Sequence, residues 1–473
     1  MIPGIAGAAD FEISGWIPYW RGAVGVASVL PNLDTFTEIN PFMYTVKEDG
    51  SLNQASSITS QEWVDLHNKA KELNVRFVPT IMWSGADAMH ATLSDPAKRA
   101  AHIQAIAQEV FRYNLDGIDI DYEGKYAKTR VYFSQFLKEL EEAIGYNKWI
   151  MCTIESRTPL DSRYSSPESI PKDIEYANDF TEINKYCDRV RIMAYDQERV
   201  DLKLANANAH PYVPVADVQW VEKTMRLIMQ EVSPEKLSIG VPTYGYEWDM
   251  FTAFDGSGQT QYSKLWAFNP GYATEVAGKL NLTPVRNSAG EMMLTYPASQ
   301  SPDPVIPLPS ATRVMTWSDA EAIKAKVDLA KRLGLRGVSV FKIDGGQDPA
   351  MYSMLAQYKM PHTSTLPAIV RETGEEGTVI PSVPETSAAI IPPVRNLEAG
   401  MVSEDVRKLQ KYLNAKGFTV ASAGAGSPGN ETTKFGAATK AAVIKFQKAN
   451  GIKPTSGYYG PLTRAKATQI STL

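Results

Sequence analysis

The sequence predicts an α/β fold, a closed (β/α)8 TIM barrel, followed by a small all-α bundle. Short apolar, β-branched segments alternate with amphipathic ones over the first 360 residues, as in buried parallel strands joined by helices. No glycine-rich phosphate loop follows the first strand, which disfavours an open dinucleotide-binding sheet. A proline-rich stretch then precedes the last 80 or so residues.

Eight segments are predicted as barrel strands because they are short and rich in apolar residues. They are residues 11–20, 36–46, 75–83, 117–123, 149–155, 189–195, 237–244 and 337–343. The predicted helices between them are residues 60–73, 95–113, 129–144, 218–231 and 318–333. The interval 247–313 is long for a connection between barrel elements, so we expect a small inserted subdomain there, before the last strand.

The chain divides into four parts by composition. Residues 11–360 form the predicted barrel domain, and residues 361–394 are rich in Pro, Ser, Thr and Glu, which is typical of a linker. Residues 395–473 form the helical module. Residues 1–10 lack a basic n-region, but Ala6-Gly7-Ala8 resembles the end of a signal peptide, so we expect a leader remnant and a secreted or wall-associated protein.

The charge distribution separates the two domains. Residues 395–473 carry 12 Lys and Arg against 4 Asp and Glu, a net charge of +8. The whole chain has a net charge of −5, which leaves −13 for residues 1–394. We therefore expect an anionic partner surface for the C-terminal module. Nucleic acid is disfavoured because no helix-turn-helix or zinc-finger pattern accompanies the charge, and no apolar run predicts a membrane span.

The two cysteines, Cys152 and Cys187, do not form a CxxC pair, and the five histidines show no metal-ligand spacing. We therefore expect neither a metal nor a cofactor. Both cysteines fall in or beside neighbouring predicted strands. Buried free thiols are the preferred interpretation, and a disulfide is the alternative.

The most informative segment is Asp116-Gly-Ile-Asp119-Ile-Asp121-Tyr-Glu123. Side chains alternate along a strand, so Asp119, Asp121 and Glu123 share one face at about 7 Å per pair. Several carboxylates buried together cannot all ionise cheaply, so we expect one to keep a proton near neutral pH. A glycosidase needs such an acid beside the leaving oxygen. Pairing of these acids with an inward base such as Arg191 is the alternative, and Asp116 is expected to be a turn or capping carboxylate.

These residues resemble the DxxDxDxE motif of glycoside hydrolase family 18, the chitinase-like retaining enzymes. Three more segments resemble family motifs in the same order: Gly15-Trp-Ile-Pro-Tyr-Trp20, Met193-Ala-Tyr-Asp196 and Gly240-Val-Pro-Thr-Tyr-Gly245. The resemblance covers residues 11 to about 358. It implies that the substrate's own 2-acetamido group acts as the nucleophile, an exception to the two-carboxylate scheme.

The resemblance also implies a role for each site residue. Glu123 would be the general acid and base, Asp121 would orient the acetamido N–H, Asp119 would tune Asp121, and Tyr195 would donate to the acetamido oxygen. The expected substrate-binding residues are Trp16, Trp83, Met193, Asp196, Tyr244 and Phe341. Phe341 stands where family chitinases usually carry tryptophan, and Pro79-Thr-Ile-Met-Trp83 stands where they tend to carry SxGG.

Further segments resemble the spore-cortex and germination branch of the family, which acts on peptidoglycan. Tyr244-Gly-Tyr-Glu-Trp248 resembles its YGYDW, and similar segments occur at residues 41–50 and 315–320. Simple core packing is the alternative interpretation of Tyr246 and Trp248.

The C-terminal module contains two helical segments, 405–413 and 435–447, with a third predicted from Gly457 onward. The order LQxxL, FGxxTxxAVxxFQ and GxxGxxT resembles the peptidoglycan-binding three-helix domain. A spacer bundle for another partner is the alternative. A tethered wall-binding module would raise the local concentration of the barrel at an insoluble polymer.

Three functions follow as hypotheses. The first is a monomeric glycosidase that cleaves peptidoglycan after N-acetylglucosamine, and the second is a chitinase or chitooligosaccharide hydrolase with the same chemistry. The third is a non-catalytic lectin on the same barrel, which the presence of Glu123, Asp121 and Tyr195 disfavours.

Overall fold

The computed structural model describes residues 11–303, 308–358, 392–393, 397–452, 455–460, 463–464, 466–467 and 470. The predicted N-terminal tail, and the linker except for residues 392–393, lie outside these ranges. The chain separates into two compact units, one holding the barrel and the other holding the C-terminal module.

Fifteen strands are described: β1 Glu12–Ile17, β2 Glu38–Val46, β3 Leu52–Gln54, β4 Arg76–Phe77, β5 Thr80–Trp83, β6 Gly117–Tyr122, β7 Trp149–Glu155, β8 Arg189–Met193, β9 Leu237–Pro242, β10 Gly245–Thr252, β11 Thr260–Phe268, β12 Val285–Arg286, β13 Met292–Pro297, β14 Thr312–Trp317 and β15 Gly337–Phe341. The helices are α1 Gly22–Val29, α2 Gln61–Glu72, α3 Ala86–Leu93, α4 Pro96–Arg112, α5 Arg130–Ile144, α6 Leu160–Arg163, α7 Phe180–Tyr186, α8 Leu202–Ala207, α9 Val218–Ile228, α10 Pro270–Leu280, α11 Ala320–Arg332, α12 Ala350–Ala356, α13 Glu404–Ala415 and α14 Ala437–Ala449.

The parallel strands close into a barrel, as predicted. Their order is β1-β15-β9-β8-β7-β6-β5-β2, and β1 pairs with β2 to complete the ring, while the short β4 also pairs with β2. Closure requires a close approach between β1 and β15, where Glu12 pairs with Gly337. A Cβ on Gly337 would lie 1.8 Å from the Glu12 carbonyl oxygen, so only glycine fits there.

Between β9 and β15 the chain builds a second, antiparallel sheet with the order β11-β10-β14-β13-β12. Helix α10 packs on it through Ala273, Val276 and Ala277. A buried ion group stabilises the sheet, because Arg313 lies 3.3 Å from Glu247 and 3.1 Å from Asp249. Glu247 therefore has a structural role in the segment that resembles YGYDW, and Trp248 is core, packed with Val213 and Val314.

The interior of the barrel is charged at its N-terminal end. Arg76 binds Glu12 at 2.8 Å and Glu38 at 2.7 Å, and Arg189 binds Glu12 at 2.6 Å. Arg191 also binds Glu38. These side chains are buried, and each charge lies beside an opposite one, as buried ions require. The apolar appearance of the strand segments did not predict this ionic layer.

Cys152 and Cys187 form a disulfide, with Cα atoms 6.0 Å apart. The preference for free thiols was therefore wrong, and the alternative holds. Cys152 lies on β7, and Cys187 follows α7 directly, just before the neighbouring strand β8. The chain between them returns to the adjacent position in the barrel, which brings the two Cα atoms within the span that a disulfide bridges.

The C-terminal unit has its own apolar core, centred on Leu409, Tyr412, Val443, Phe446 and Tyr459. Two predicted helices are present as α13 and α14. The third falls largely outside the described residues, and residues 463–464, 466–467 and 470 in this region are helical. The side-chain amide of Gln410 donates to Thr439 at 2.9 Å, and that of Gln447 donates to Thr463 at 3.0 Å.

Candidate active site

The carboxylate motif lies on β6 with its neighbours in parallel register. Asp119 is opposite Thr80 on β5, and Asp121 is opposite Thr153 on β7. Both Asp side chains are buried. Glu123 follows the last residue of β6, and its amide donates to the Trp83 carbonyl oxygen at 2.8 Å. The strand therefore delivers Glu123 to the C-terminal end of the barrel, where barrel enzymes carry their catalytic groups.

Asp119 lies at the end of the row that is deeper in the barrel. Its Oδ2 accepts hydrogen bonds from Trp16 Nε1 at 2.9 Å and Thr80 Oγ1 at 2.8 Å, and its Oδ1 accepts one from Thr153 Oγ1 at 2.8 Å. Burial raises the pKa of Asp119 to about 6, although these hydrogen bonds act in the opposite direction. Trp16 is thus a support for Asp119 as well as part of the cavity wall.

Arg191 Nη1 lies 3.1 Å from Asp119 Oδ2. The alternative in which an inward arginine pairs with the acids therefore holds for Asp119. Arg191 also binds Glu38, so it joins the ionic layer to the carboxylate row. Asp116 accepts a hydrogen bond from the Phe77 amide at 2.8 Å, in agreement with its expected capping role at the start of β6.

Asp121 has an unsatisfied oxygen at the cavity. Its Oδ1 is buried and has no hydrogen-bond partner, and Asp121 lines the cavity. Burial raises the pKa of Asp121 well above its usual range, and the neighbouring charges of Glu123, Asp119 and Glu155 raise it further. An orphaned acceptor at the wall of a cavity is a place for a ligand's hydrogen-bond donor.

Glu123 is partly exposed at the cavity. Burial raises the pKa of Glu123, the charges of Glu155 and Asp196 add to the increase, and Lys125 opposes it. Sequence reasoning missed Glu155 and Lys125. Glu155 could have been found from its position, because it ends β7, the strand next to β6. Only the tertiary fold brings the buried Lys125 side chain next to it.

Aromatic side chains surround the acids. Phe341 stacks on Tyr195 with ring centroids 5.4 Å apart, and it meets the edges of Trp16, Phe42 and Tyr244 at 6.0–6.1 Å. Burial raises the pKa of Tyr195 well above its usual value, and nearby carboxylates including Asp121 raise it further, so its hydroxyl remains a proton donor. Such faces pack against the apolar faces of sugar rings.

Asp196 is held by two tyrosines. Tyr244 Oη donates to its Oδ1 at 2.5 Å, and Tyr246 Oη donates to the same oxygen at 2.9 Å. Asp196 has a backbone φ of 56°, a conformation that aspartate tolerates better than most residues. Tyr244 thus supports Asp196 from behind rather than lining the cavity, and Tyr246 is joined to the site instead of being simple core.

The site is a cavity of about 390 Å³ at the C-terminal end of the barrel. Its lining includes the predicted residues Trp16, Asp121, Glu123, Met193, Tyr195, Asp196 and Phe341. It also includes residues that the sequence did not single out, namely Trp20, Phe42, Met82, Thr153, Glu155 and Ser156. Trp20 could have been found from its place at the end of the first-strand motif.

Trp83 does not line this cavity, which corrects the expectation that it contacts substrate. The centroid of the Trp83 ring lies 5.3 Å from the ring centroids of His102 and Tyr122, and only 3% of Trp83 is exposed to solvent. Trp83 pairs with Tyr122 in the sheet register, and both side chains point to the helices outside the barrel. The alternation of faces along β5 directs Met82 inward instead.

A partly exposed carboxyl with a raised pKa, a buried carboxyl beside it and an aromatic wall are features that a glycosidase site requires. Residues 32–346 match the model of glycosyl hydrolases family 18. The chain belongs to this family. Residues 402–466 match the model of a peptidoglycan-binding domain, so the C-terminal unit is a domain of that kind.

Similar proteins occur in bacteria, plants and insects. The "Uncharacterized glycosylase YvbX" of Bacillus subtilis is 23% identical over 235 residues, which cover 49% of this chain and 58% of that protein. Chitinase A1 of Niallia circulans is 24% identical over 67% of this chain and 46% of its own length. The chain thus spans about half the length of these relatives.

The fold is also that of a solved structure, the spore cortex-lytic enzyme SleL of Bacillus cereus. The two superpose with a TM-score of 0.56 at 18% identity, over 75% of each chain. Among the residues that the structure describes, no helix is long and apolar enough to cross a membrane. The same residues contain no cluster of three or more side chains suited to a metal ion.

Proposed function

We propose that this protein hydrolyses the β-1,4 bond that follows N-acetylglucosamine in peptidoglycan, by substrate-assisted catalysis with Glu123 as general acid and base. One observation carries the proposal: the buried Asp121 Oδ1 has no hydrogen-bond partner, and it lies in the same cavity as the partly exposed Glu123. This supports the view that a hydrogen-bond donor on the substrate, rather than a protein group, satisfies Asp121.

In the first step Glu123 protonates the glycosidic oxygen. Its raised pKa keeps it protonated closer to neutral pH than an ordinary glutamic acid. The acetamido oxygen of the substrate attacks the anomeric carbon, and an oxazolinium ion forms as the bond to the leaving sugar breaks. Glu123, now ionised, then takes a proton from the water that opens this ring, which restores the acid.

Asp121 and Tyr195 hold the acetamido group for this attack. The free Asp121 Oδ1 accepts the acetamido N–H, and the Tyr195 hydroxyl donates to the acetamido oxygen. Asp196, fixed by Tyr244 and Tyr246, accepts from a hydroxyl of the same sugar, and Phe341 packs against the ring. Asp119 acts behind Asp121, because its own oxygens are occupied by Trp16, Thr80 and Thr153.

The peptidoglycan-binding domain at 402–466 favours peptidoglycan as the polymer. The likeness to the cortex-lytic enzyme SleL agrees with this choice at the level of the fold. N-acetylglucosamine is the expected sugar at the cleaved bond, since a lactyl-peptide arm on muramic acid would crowd a pocket closed by Tyr195 and Phe341. We further propose that the protein is secreted or wall-associated and acts as a monomer.

A chitinase is the second candidate, because the relative Chitinase A1 carries that name. The chemistry would be the same, and only the polymer would differ. The aromatic residues Trp20 and Phe42 in the cavity wall are compatible with either glycan.

Digestion of purified sacculi and of chitin tests the proposal, with released sugars identified by mass spectrometry. We expect the wild type to release fragments ending in reducing N-acetylglucosamine from sacculi, and Glu123→Gln to release none. Glu142→Gln, an exposed substitution on α5, is the matched control and should digest normally. Reducing-end muramic acid would refute the bond specificity, cleavage of chitin alone would favour the chitinase, and binding without cleavage would leave a lectin.

A further inference from the structure

A second carboxylate, Glu155, stands beside the catalytic acid and is not explained by the proposed roles. It is the last residue of β7, the strand next to β6, and it lines the same cavity as Glu123. Its Oε1 accepts a hydrogen bond from the Gly124 amide at 2.7 Å. Glu155 is therefore tied to the backbone directly after Glu123.

The other oxygen of Glu155 is held from two sides. Asn178 Nδ2 donates to Oε2 at 3.1 Å, and Lys125 Nζ lies 3.7 Å from the same atom. Burial alone would raise the pKa of Glu155, but Lys125, the Gly124 amide and Asn178 together lower it. These contacts hold Glu155 as an anion that is fixed in place.

Lys125 is itself immobilised beneath the site. Its side chain is fully buried, its Nζ donates to the Tyr122 carbonyl oxygen, and it lies 4.6 Å from the ring centroid of Phe133. A buried lysine needs an anionic partner, and Glu155 supplies it. The anionic Glu155 therefore lies at the cavity, and the cationic Lys125 lies buried behind the cavity wall.

The charged and titratable groups around Glu123 come from three strands and their following loops. They are Asp119 and Asp121 on β6, Lys125 after it, Glu155 on β7, and Tyr195 and Asp196 after β8. Among the groups outside its own strand, Glu155 has the largest electrostatic effect on Glu123.

We propose that Glu155 is a positioning residue for the catalytic acid: its fixed carboxylate orients the turn after Glu123 and favours the return of the proton to Glu123 after each cycle. The proposal rests on the assignment of Glu123 as the general acid. Glu155 acts through Glu123 rather than on the substrate, and the buried Lys125 holds Glu155 in place.

The test is a titration of Glu123 in the full chain by ¹³C NMR of glutamate side-chain carboxyls, with the Glu123 signal identified by its loss in Glu123→Gln. We expect Glu155→Gln to lower the Glu123 midpoint by about one pH unit, because a neighbouring negative charge is gone. Glu155→Asp keeps the charge and should leave the midpoint close to that of the wild type. Glu142→Gln is the exposed control.

Because Glu155→Gln leaves Lys125 buried without its partner, the double variant Glu155→Gln, Lys125→Met guards against misfolding. Its midpoint should also fall, by about half a pH unit, since the opposing lysine charge is removed as well. An unchanged or higher midpoint in the folded variants would overturn the proposal, as would equal shifts in Glu155→Gln and Glu155→Asp.

Activity provides the second readout. The alkaline limb of kcat/KM on soluble glycan fragments should move to lower pH in Glu155→Gln, by the same amount as the NMR midpoint. An equal loss at every pH, with the limb unmoved, would mean that Glu155 is merely structural. The NMR titration needs no substrate, so failure of the proposed function appears separately, as cleavage retained by Glu123→Gln.

Discussion

The two ends of the barrel interior bury the same residue types with opposite results. At the N-terminal end, burial would raise the pKa of Glu12, but Arg76 and Arg189 outweigh it and hold that pKa far below its usual value. At the C-terminal end, Asp121 and Glu123 face other carboxylates, and their pKa values rise. A buried acid held between bases keeps a low pKa, whereas one that faces other acids has a raised pKa and can serve as a proton donor.

The largest effect is expected from changing Asp121 at the C-terminal end. Asp121→Asn keeps the shape but can present an amide N–H where the acetamido N–H needs an acceptor oxygen, so kcat should fall by about 10³-fold. Initial rates of sugar release measure this, with far-UV circular dichroism as the check on folding. A loss of less than about tenfold would contradict the role given to Asp121 Oδ1.

At the compensated end the same kind of change should act on stability. Arg76→Met leaves Glu12 and Glu38 each with one fewer base, and we expect a loss of about 3 kcal/mol in the free energy of unfolding. Urea unfolding measures it. Lys279→Met, which breaks an exposed pair with Glu275, should cost less than about 0.5 kcal/mol. If Arg76→Met lowered kcat of the folded enzyme strongly, the division between the two ends would fail.

The pH dependence of stability sharpens the comparison. The pKa of Asp119 is raised to about 6 from 3.8, so the folded state binds this proton more tightly than the unfolded state. Its contribution to stability therefore grows as pH falls from about 6 towards 4, by about 2 kcal/mol. The pKa of Glu12 is lowered, so its contribution to the stability of the folded state should be lost only at lower pH. Urea midpoints of the wild type and Asp119→Asn between pH 4 and 7 test this, and equal slopes would contradict it.

The smallest effect is expected from Trp83, which lies behind the strand that carries Met82 into the cavity. Trp83→Phe keeps an aromatic ring against His102 and Tyr122, and kcat should stay within about twofold of the wild type. Phe341→Ala is the contrasting variant, because that ring lines the cavity and should raise KM. Similar kinetic losses in both would restore Trp83 as a substrate contact.

The sequence alone predicted the barrel, an insertion before its last strand, the helical module and the inward row of Asp119 and Asp121, but not that the insertion is an antiparallel sheet. These follow from local periodicity, because a strand that alternates by two residues fixes which side chains share a face. The motif also identified Glu123, Tyr195, Asp196 and Phe341, which the structure brings to one cavity.

Only the tertiary structure decided the rest. It paired Cys152 on β7 with Cys187 just before β8, matched Arg191 to Asp119 and directed Trp83 away from the cavity. It also placed Glu155 and its buried partner Lys125 beside the acid. These outcomes depend on distances between segments that are far apart in the chain, and on which charges remain uncompensated after burial. Neither quantity can be read from local sequence, because both arise when the barrel closes.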